Sequence, residues 1–132
     1  MELELLHHFT TRTSTTLASD ASVQDFWSTG AVRIAFECEY ILDTLLALSA
    51  LHLAHIQPDK RDFYASQGVS YHQKASTMAI KRMANIDDGN NQMNLFLFSV
   101  LTIFVGEFPI HLVLHRFTSE RKMRELASTF HP

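Results

Sequence analysis

The chain has 132 residues, of which 46% are hydrophobic and 19% charged, and this composition predicts one globular domain over residues 1–132 rather than a disordered chain. Only 4 Gly and 3 Pro residues are present, which is too few turn-forming residues for a sandwich or barrel and favours an all-α fold. The formal net charge of -3 argues against direct nucleic-acid binding, because phosphate neutralisation needs a basic face.

The N-terminal residues are acidic and lack the pattern of a signal peptide. Cys38 is the only cysteine, so an internal disulfide and a cysteine-based zinc cluster are excluded. We therefore expect an intracellular protein, in the nucleus or the cytoplasm.

Two amphipathic helices are predicted before residue 40. The first is indicated by apolar positions at helical spacing, namely Leu3, Leu6, Phe9, Thr13 and Leu17. The Ser- and Thr-rich residues 13–22 should end it. Ser22 is the predicted N-cap of the second helix, with Asp25 three residues later as in a capping box. That helix is expected to bury Val23, Phe26, Trp27, Ala31 and Ile34.

Two further segments, residues 40–56 and 95–105, are apolar on every side, which predicts helices buried all round. Pro58 should stop the first, and Asp59 should cap a long helix that runs to about residue 84. That long helix carries Tyr64, Tyr71, Ala75 and Met78 on one side. The prediction is an irregular helical array of about five to six helices with two central apolar helices.

A turn is predicted at residues 87–91, and Gly106 and Pro109 should break the second apolar helix. Apolar residues resume at 110–117, but Glu107 near the centre of this longer run argues against a membrane span. Residues 119–130 are interpreted as a weak amphipathic helix. The basic cluster near them is interpreted as a solvated helix face; it comprises Arg116, Arg121, Lys122 and Arg124.

The eight histidines raise the question of a metal or catalytic site. His52 and His55 are spaced i, i+3, and His111 and His115 are spaced i, i+4, so each pair could share a helix face. Neither pair has a third ligand or the intervening glutamate of a metalloprotease helix. His7 and His8 are adjacent and point in different directions. We expect no metal and no cofactor.

Nothing in the chain predicts an enzyme. There is no Gly-x-Ser-x-Gly elbow and no glycine-rich phosphate loop. Cys38 lies between Glu37 and Glu39, whose charges disfavour a reactive thiolate. The acidic pairs Glu37/Glu39 and Asp87/Asp88 are interpreted as capping or surface residues. We therefore assign no catalytic residues.

The ten Phe, three Tyr and one Trp residues are interpreted as core packing, with a hydrophobic ligand cavity as the alternative. If a cavity exists, the two apolar helices should line it. The candidate ligand-binding residues are Leu48, Leu51, His52, Phe98, Leu101 and Phe104, with His52 as a polar anchor. Because two helices apolar on every side need many neighbours, we also expect a homo-oligomer or a helical protein partner.

Residues 47–54, Ala-Leu-Ser-Ala-Leu-His-Leu-Ala, are the most distinctive string in the chain. They resemble a segment in the regulatory region of fungal zinc-cluster transcription factors, in particular the sterol-uptake-control type. Other segments resemble the family in the same order: residues 5–10, Trp27 with Ala35 and Phe36, Tyr64 with His72, Gln73 and Ala75, and Asn91 with residues 96–101. The likeness covers residues 2–108, whereas residues 109–132 form a divergent tail. The family's six-cysteine DNA-binding cluster is absent, and its regulatory region is much longer.

This resemblance implies a non-catalytic regulatory domain that senses a hydrophobic small molecule such as a sterol, mediates protein association, or does both. Two alternatives stay open: a stand-alone protein that binds a hydrophobic metabolite, and a small enzyme that uses the histidine pairs.

Overall fold

The computed structural model describes residues 1–85 and 88–107, and within these ranges every regular element is a helix. Helix α1 consists of Glu2–His8, a π-helical segment Phe9–Thr13 and Ser14–Thr16; helix α2 consists of Ala21–Asp25, a π-helical segment Phe26–Gly30 and Ala31–Glu37. Helix α3 is Glu39–Ile56, and helix α4 is Arg61–Arg82, flanked by the 3₁₀ turns Pro58–Lys60 and Met83–Asn85. Helix α5 spans 89–107. The predicted all-α fold is confirmed.

Helix α3 is the centre of the fold, as its apolar sequence predicted. It is buried along almost its whole length, from Tyr40 to Ala54, and it contacts α1, α2 and α4. Helix α4 packs closely against it at the buried Gly68. A Cβ atom there would lie 2.8 Å from Leu51 Cγ and 3.2 Å from the Ala47 carbonyl oxygen, so the close approach of these two helices requires glycine.

Helix α1 ends at Thr16, inside the stretch predicted to stop it. Its hydroxyl side chains donate to carbonyl oxygens three or four residues earlier, as Ser14 Oγ does to Thr10 at 3.0 Å. The prediction that Leu3 faces inward is wrong, because this side chain is 82% exposed. Leu5 is fully buried instead, on the same face as Phe9 and Thr13.

The N-cap of helix α2 lies two residues before the predicted one. The cap is Asp20, whose Oδ1 accepts from the Ser22 amide nitrogen at 2.8 Å and from its hydroxyl at 2.6 Å. The Asp20 carboxylate thereby satisfies an amide at the start of the helix, which is the role that was predicted for Ser22.

The predicted inward face of α2 is also partly wrong. Val23 and Phe26 are each 42% exposed, whereas Trp27 and Ala31 are buried as predicted and Ile34 is half-buried. The π-helical segment explains the difference, because its extra residue per turn shifts the side chains out of a 3.6-residue register.

The predicted cap of α4 is wrong as well. Asp59 lies inside the 3₁₀ turn Pro58–Lys60 rather than before a helix, and α4 begins at Arg61 without a side-chain cap. The stop at Pro58 is confirmed, since α3 ends at Ile56.

Helix α5 begins at residue 89, inside the predicted turn, where Asp88 Oδ1 accepts from the Asn90 amide nitrogen at 3.0 Å. Burial on every side is wrong for the described part of this helix. Leu97, Leu101 and Val105 are buried, whereas Phe96 is 68% exposed and Ile103 is 63% exposed. The helix therefore buries only one face against the other described helices.

The remaining predictions for the C-terminal part, including Pro109, the pair His111/His115, the basic cluster at 116–124 and the helix at 119–130, lie outside the described residues. Asp87 also lies outside them. Of the helices at 1–85 and 88–107, none is long and apolar enough to cross a membrane.

Candidate functional site

Three of the predicted ligand-binding residues lie together in one core. Leu48 and Leu101 are fully buried and Leu51 is 4% exposed, and all three belong to the cluster in which α3 meets α5. Their neighbours in that cluster include Tyr40 and Leu97. A ligand in contact with Leu48, Leu51 or Leu101 would therefore meet only apolar side-chain surface.

Phe98 and Phe104 lie at the edge of the same core and are half-buried. The Phe98 ring packs edge-on against Tyr40, with centroids 5.9 Å apart, and stacks on His72 at 6.1 Å. Phe104 packs edge-on against Trp27 at 5.7 Å. Both phenylalanines are thus held by aromatic neighbours, in the geometries that ring quadrupoles favour.

His52, the predicted polar anchor, lies in a separate polar cluster with α1. Its Nδ1 atom is 3.0 Å from His8 Nε2 and 2.9 Å from Thr13 Oγ1. In a neutral His52 the Nδ1 lone pair can accept a hydrogen bond from either His8 or Thr13. Burial lowers the pKa of His52 to about 4, and the nearby His8, His55 and Arg12 act in the same direction.

The remaining polar candidates do not assemble into a metal-binding group in the described ranges. Residues 1–85 and 88–107 contain no group of three or more His, Cys, Asp or Glu side chains placed to hold a metal ion. Glu39 pairs with Lys74 instead, at 3.4 Å between Oε1 and Nζ. Lys74 also lies 3.6 Å from Asp43, a buried carboxyl whose pKa is raised by its burial.

Helix α5 carries an exposed apolar stripe that was not predicted from the sequence. It consists of Met93, Phe96, Val100 and Ile103, spaced three, four and three residues apart, which places all four on one side of the helix. Met93 is 69% exposed and Phe96 and Ile103 nearly as much, while Val100 is half-buried. The spacing of these residues is visible in the sequence, but the opposite face of the helix is apolar too. The exposed face could therefore not be told from the buried one. We call these four residues the α5 stripe.

A polar cleft of about 290 Å³ lies where the C-terminal ends of α2 and α4 meet the N-terminal ends of α3 and α5. Its lining consists of Glu37, Cys38, Glu39, Tyr40, Met78, Arg82, Asp88, Asn90, Asn91 and Asn94. Asn91 Nδ2 donates to the Arg82 carbonyl oxygen at 2.6 Å and so ties two of these helices together. No sequence motif predicts this cleft, because its residues come from four separate helix ends. We call it the Tyr40 cleft.

Two curated relatives are fungal transcription factors. The chain is 44% identical over 62 residues to the Zn(2)-C6 fungal-type transcription factor afumD of Aspergillus fumigatus, covering 46% of this chain and 17% of that protein. It is 29% identical over 108 residues to a Zn(2)-C6 fungal-type transcription factor of Gibberella zeae, covering 79% of this chain and 22% of that protein. The chain thus spans about a fifth of the length of these relatives. Neither name specifies the sterol-uptake-control type, which stays a prediction.

No solved structure is significantly similar to the chain. Residues 4–120 match the fungal specific transcription factor domain, a range that continues beyond residue 108, where the resemblance seen in the sequence ends. The match covers most of the 132 residues and includes α3, whose residues 47–54 suggested the relationship. The chain therefore belongs to the fungal specific transcription factor domain family.

Proposed function

We propose that this chain is a non-catalytic regulatory module of a transcription factor and that it works by self-association through the α5 stripe. The family and the transcription-factor relatives support a regulatory role in the nucleus. The observation that carries the association is the exposure of Met93, Phe96 and Ile103 on one side of a helix whose other side is already buried in the core. Such a face occurs on soluble proteins mainly at interaction sites.

A second copy of the chain fits this face because it offers the same apolar stripe in return. A two-fold axis would bring both α5 helices together through one self-complementary surface. Burying a side chain of this size fully contributes about 1.5 to 3 kcal/mol. Met93, Phe96 and Ile103 are about two-thirds exposed, so the six such residues of two copies would together contribute roughly 6 to 12 kcal/mol, against an association cost of about 4 to 15 kcal/mol. The most favourable difference between these ranges, about 8 kcal/mol, corresponds to a micromolar dissociation constant, so we expect a weak dimer rather than a permanent one.

The test is light scattering coupled to size exclusion, in detergent-free buffer, at concentrations from about 5 to 500 µM around the expected micromolar affinity. The wild type should shift from monomer to dimer across this range. Phe96→Glu should stay monomeric, because each dimer would bury two unpaired charges, and its dissociation constant should rise at least roughly 30-fold.

Phe36→Glu is the matched control. Phe36 is 67% exposed, almost as much as Phe96, but it lies on α2 and outside the α5 stripe. It should dimerise like the wild type. A wild type that is monomeric at every concentration and melts in one sharp transition would overturn the association proposal, as would equal effects of the two substitutions.

A hydrophobic small molecule such as a sterol is the second candidate, and the partial exposure of Phe98 and Phe104 at the edge of the core supports it. In this arrangement the buried Leu48, Leu51 and Leu101 would form the floor of the site, beneath the two rings. His52 would support the site from the α1 side, where its Nδ1 atom faces His8 and Thr13.

A fluorescent sterol titrated into the wild type and Phe98→Ala tests this candidate. Saturable binding that weakens by roughly tenfold in Phe98→Ala would support it, since a buried aromatic contact contributes about 1 kcal/mol or more. Phe36→Ala is the control, because it removes an equally large ring from a different surface. Absence of saturable binding by the wild type would leave core packing as the sufficient role of these residues.

A further inference from the structure

We propose that the α5 stripe pairs antiparallel with the α5 stripe of a second copy, so that Phe96 of each copy packs against Val100 of the other. This inference rests on the self-association proposed above and specifies how the second copy docks. Three observations carry it: the absence of charge along α5, the sizes and exposures of the stripe residues, and the open flank beside the stripe.

Helix α5 carries no charged residue between residues 89 and 106, although the stripe side of the helix is exposed. The exposed side of a helix in a soluble protein is ordinarily polar and charged. Around a two-fold axis identical surfaces meet, so a charge near the axis would face its own copy and repel it. A helix without charge avoids this repulsion, which favours a second α5 as the occupant of the stripe.

The sizes of the stripe residues favour the antiparallel orientation. The stripe is symmetric in spacing, so an antiparallel pair places Met93 opposite Ile103 and Phe96 opposite Val100. Phe96 is 68% exposed and projects from the helix, whereas the smaller Val100 is half-buried. Each central layer of the pair would then combine one large, projecting side chain with one small, recessed one, as close packing requires.

The parallel orientation packs less well. It would place Phe96 on Phe96 and Val100 on Val100, which overfills one layer and leaves a gap in the next. Overpacking and cavities each destabilise an apolar contact. Charge does not select the orientation, because the residues that flank the uncharged stretch, Asp88 and Glu107, are both acidic. Packing of the stripe residues therefore decides it.

The two flanks of the stripe differ in accessibility. Leu97 and Phe104 flank it on one side and belong to the core or pack against it. Gln92, Ser99 and Gly106 flank it on the other side, spaced seven residues apart, and all three are exposed. A Cβ atom at Gly106 would meet nothing within 4 Å. A second helix therefore has room to approach over the flank formed by Gln92, Ser99 and Gly106.

Mixing two oppositely charged variants tests the residue pairing. Met93→Glu and Ile103→Lys should each raise the dissociation constant of the dimer at least roughly tenfold, because each homodimer buries two unpaired charges. In a mixed antiparallel dimer the new carboxylate faces the new ammonium group, and the other outer layer keeps its native Met93 and Ile103. We therefore expect the mixture to associate at least roughly fivefold more tightly than either variant alone. Light scattering coupled to size exclusion measures all three samples.

A mixture of Met93→Glu with Met93→Lys is the matched control. The two substituted residues face each other only in a parallel pair, so this mixture should stay as weak as its components. Met93 is 69% exposed and Ile103 is 63% exposed, so all variants should melt as the wild type monomer does in circular dichroism.

The outcomes separate this inference from the proposed function. A wild type that stays monomeric overturns both. A wild type that dimerises, together with rescue by the Met93→Glu and Met93→Lys mixture, would leave self-association standing and overturn the antiparallel pairing. Rescue by neither mixture, or single variants that associate like the wild type, would contradict the pairing as well.

Cross-linking measures the orientation independently, in a Cys38→Ser background. In the antiparallel pair the two copies of residue 99 lie about 3 Å apart along the helix axis and those of residue 92 about 18 Å apart. A short bis-maleimide should therefore cross-link Ser99→Cys at least roughly tenfold faster than Gln92→Cys, because a linker that cannot span two sites rarely joins them. Equal rates for the two variants would indicate a parallel pair and overturn the proposal.

Discussion

Acid should destabilise the protein well above the pH at which carboxylates protonate, and His52 should be the main cause. The pKa of His52 is about 4 in the folded protein and 6.5 in the unfolded chain. Between these two pH values His52 is therefore protonated in the unfolded chain but neutral in the folded protein. The stabilisation is therefore present above pH 6.5 and is lost as the pH falls towards 4. The loss is about 1.4 kcal/mol per pH unit within that window, or about 2 kcal/mol between pH 7 and pH 5.

The surroundings of His52 explain the sign. Protonated His52 could no longer accept a hydrogen bond at Nδ1 from His8 or Thr13, and its charge would lie among His8, His55 and Arg12. The pKa of His8 is also lowered by burial, so it should add to the same effect. Asp43 acts in the opposite direction, because burial raises its pKa and acidification therefore protonates it in the folded protein before it does so in the unfolded chain.

Urea unfolding followed by circular dichroism at pH 7 and pH 5 measures the effect. The wild type should lose about 2 kcal/mol or more of unfolding free energy over this interval. His52→Asn retains an acceptor near the position of Nδ1 and does not titrate, so it should cost stability at pH 7 but lose much less on acidification.

His7→Gln is the control, because His7 is exposed on the same helix as His8. It should keep the full pH dependence of the wild type. The reasoning would be refuted if His52→Asn lost as much stability between pH 7 and pH 5 as the wild type does.

Three further predictions concern packing, charge and metal. Gly68→Ala should destabilise the protein by about 1 to 3 kcal/mol in urea unfolding, because the new methyl group would meet Leu51 and the α3 backbone. Gly106→Ala is the control and should be neutral or stabilising, because a Cβ atom at residue 106 meets nothing within 4 Å. Lys74→Met should destabilise the protein by leaving buried Asp43 without its cation, and adding Asp43→Asn should restore most of the loss in a double-mutant cycle. The purified chain should retain no stoichiometric zinc after dialysis against a weak chelator and should not shift random duplex DNA in a gel; retention or a salt-sensitive shift would contradict this prediction.

The central position of α3 in the fold could be predicted because apolar residues lie on every side of this helix. A helix without a polar face must lie inside, and Pro58 marked where it stops. The register of α2 could not be predicted in the same way. Its π-helical segment inserts one residue into a turn without any signal in the spacing of apolar residues, and Val23 and Phe26 consequently lie on the exposed side.

The candidate sites show the same limit. Leu48, Leu51 and Leu101 could be assigned to one core because hydrophobic burial is a property of each residue by itself. The partner of His52 could not be inferred, since His8 is 44 residues away and their meeting depends on how α1 crosses α3. The Tyr40 cleft could not be predicted from the sequence either, because it forms only where four helix ends converge.

Helix α1 has a consequence for how the molecule comes apart. Leu5 belongs to a small cluster with Leu46 and Tyr64, whereas Phe9, at the start of the π-helical segment, belongs to the larger cluster that contains Trp27. Helix α1 therefore contributes to both hydrophobic clusters. The Ser49 hydroxyl holds it against α3 by donating a hydrogen bond to the Leu5 carbonyl oxygen at 2.6 Å. Detachment of α1 would open both clusters at once, so the two halves of the interior should unfold as one cooperative unit rather than in sequence.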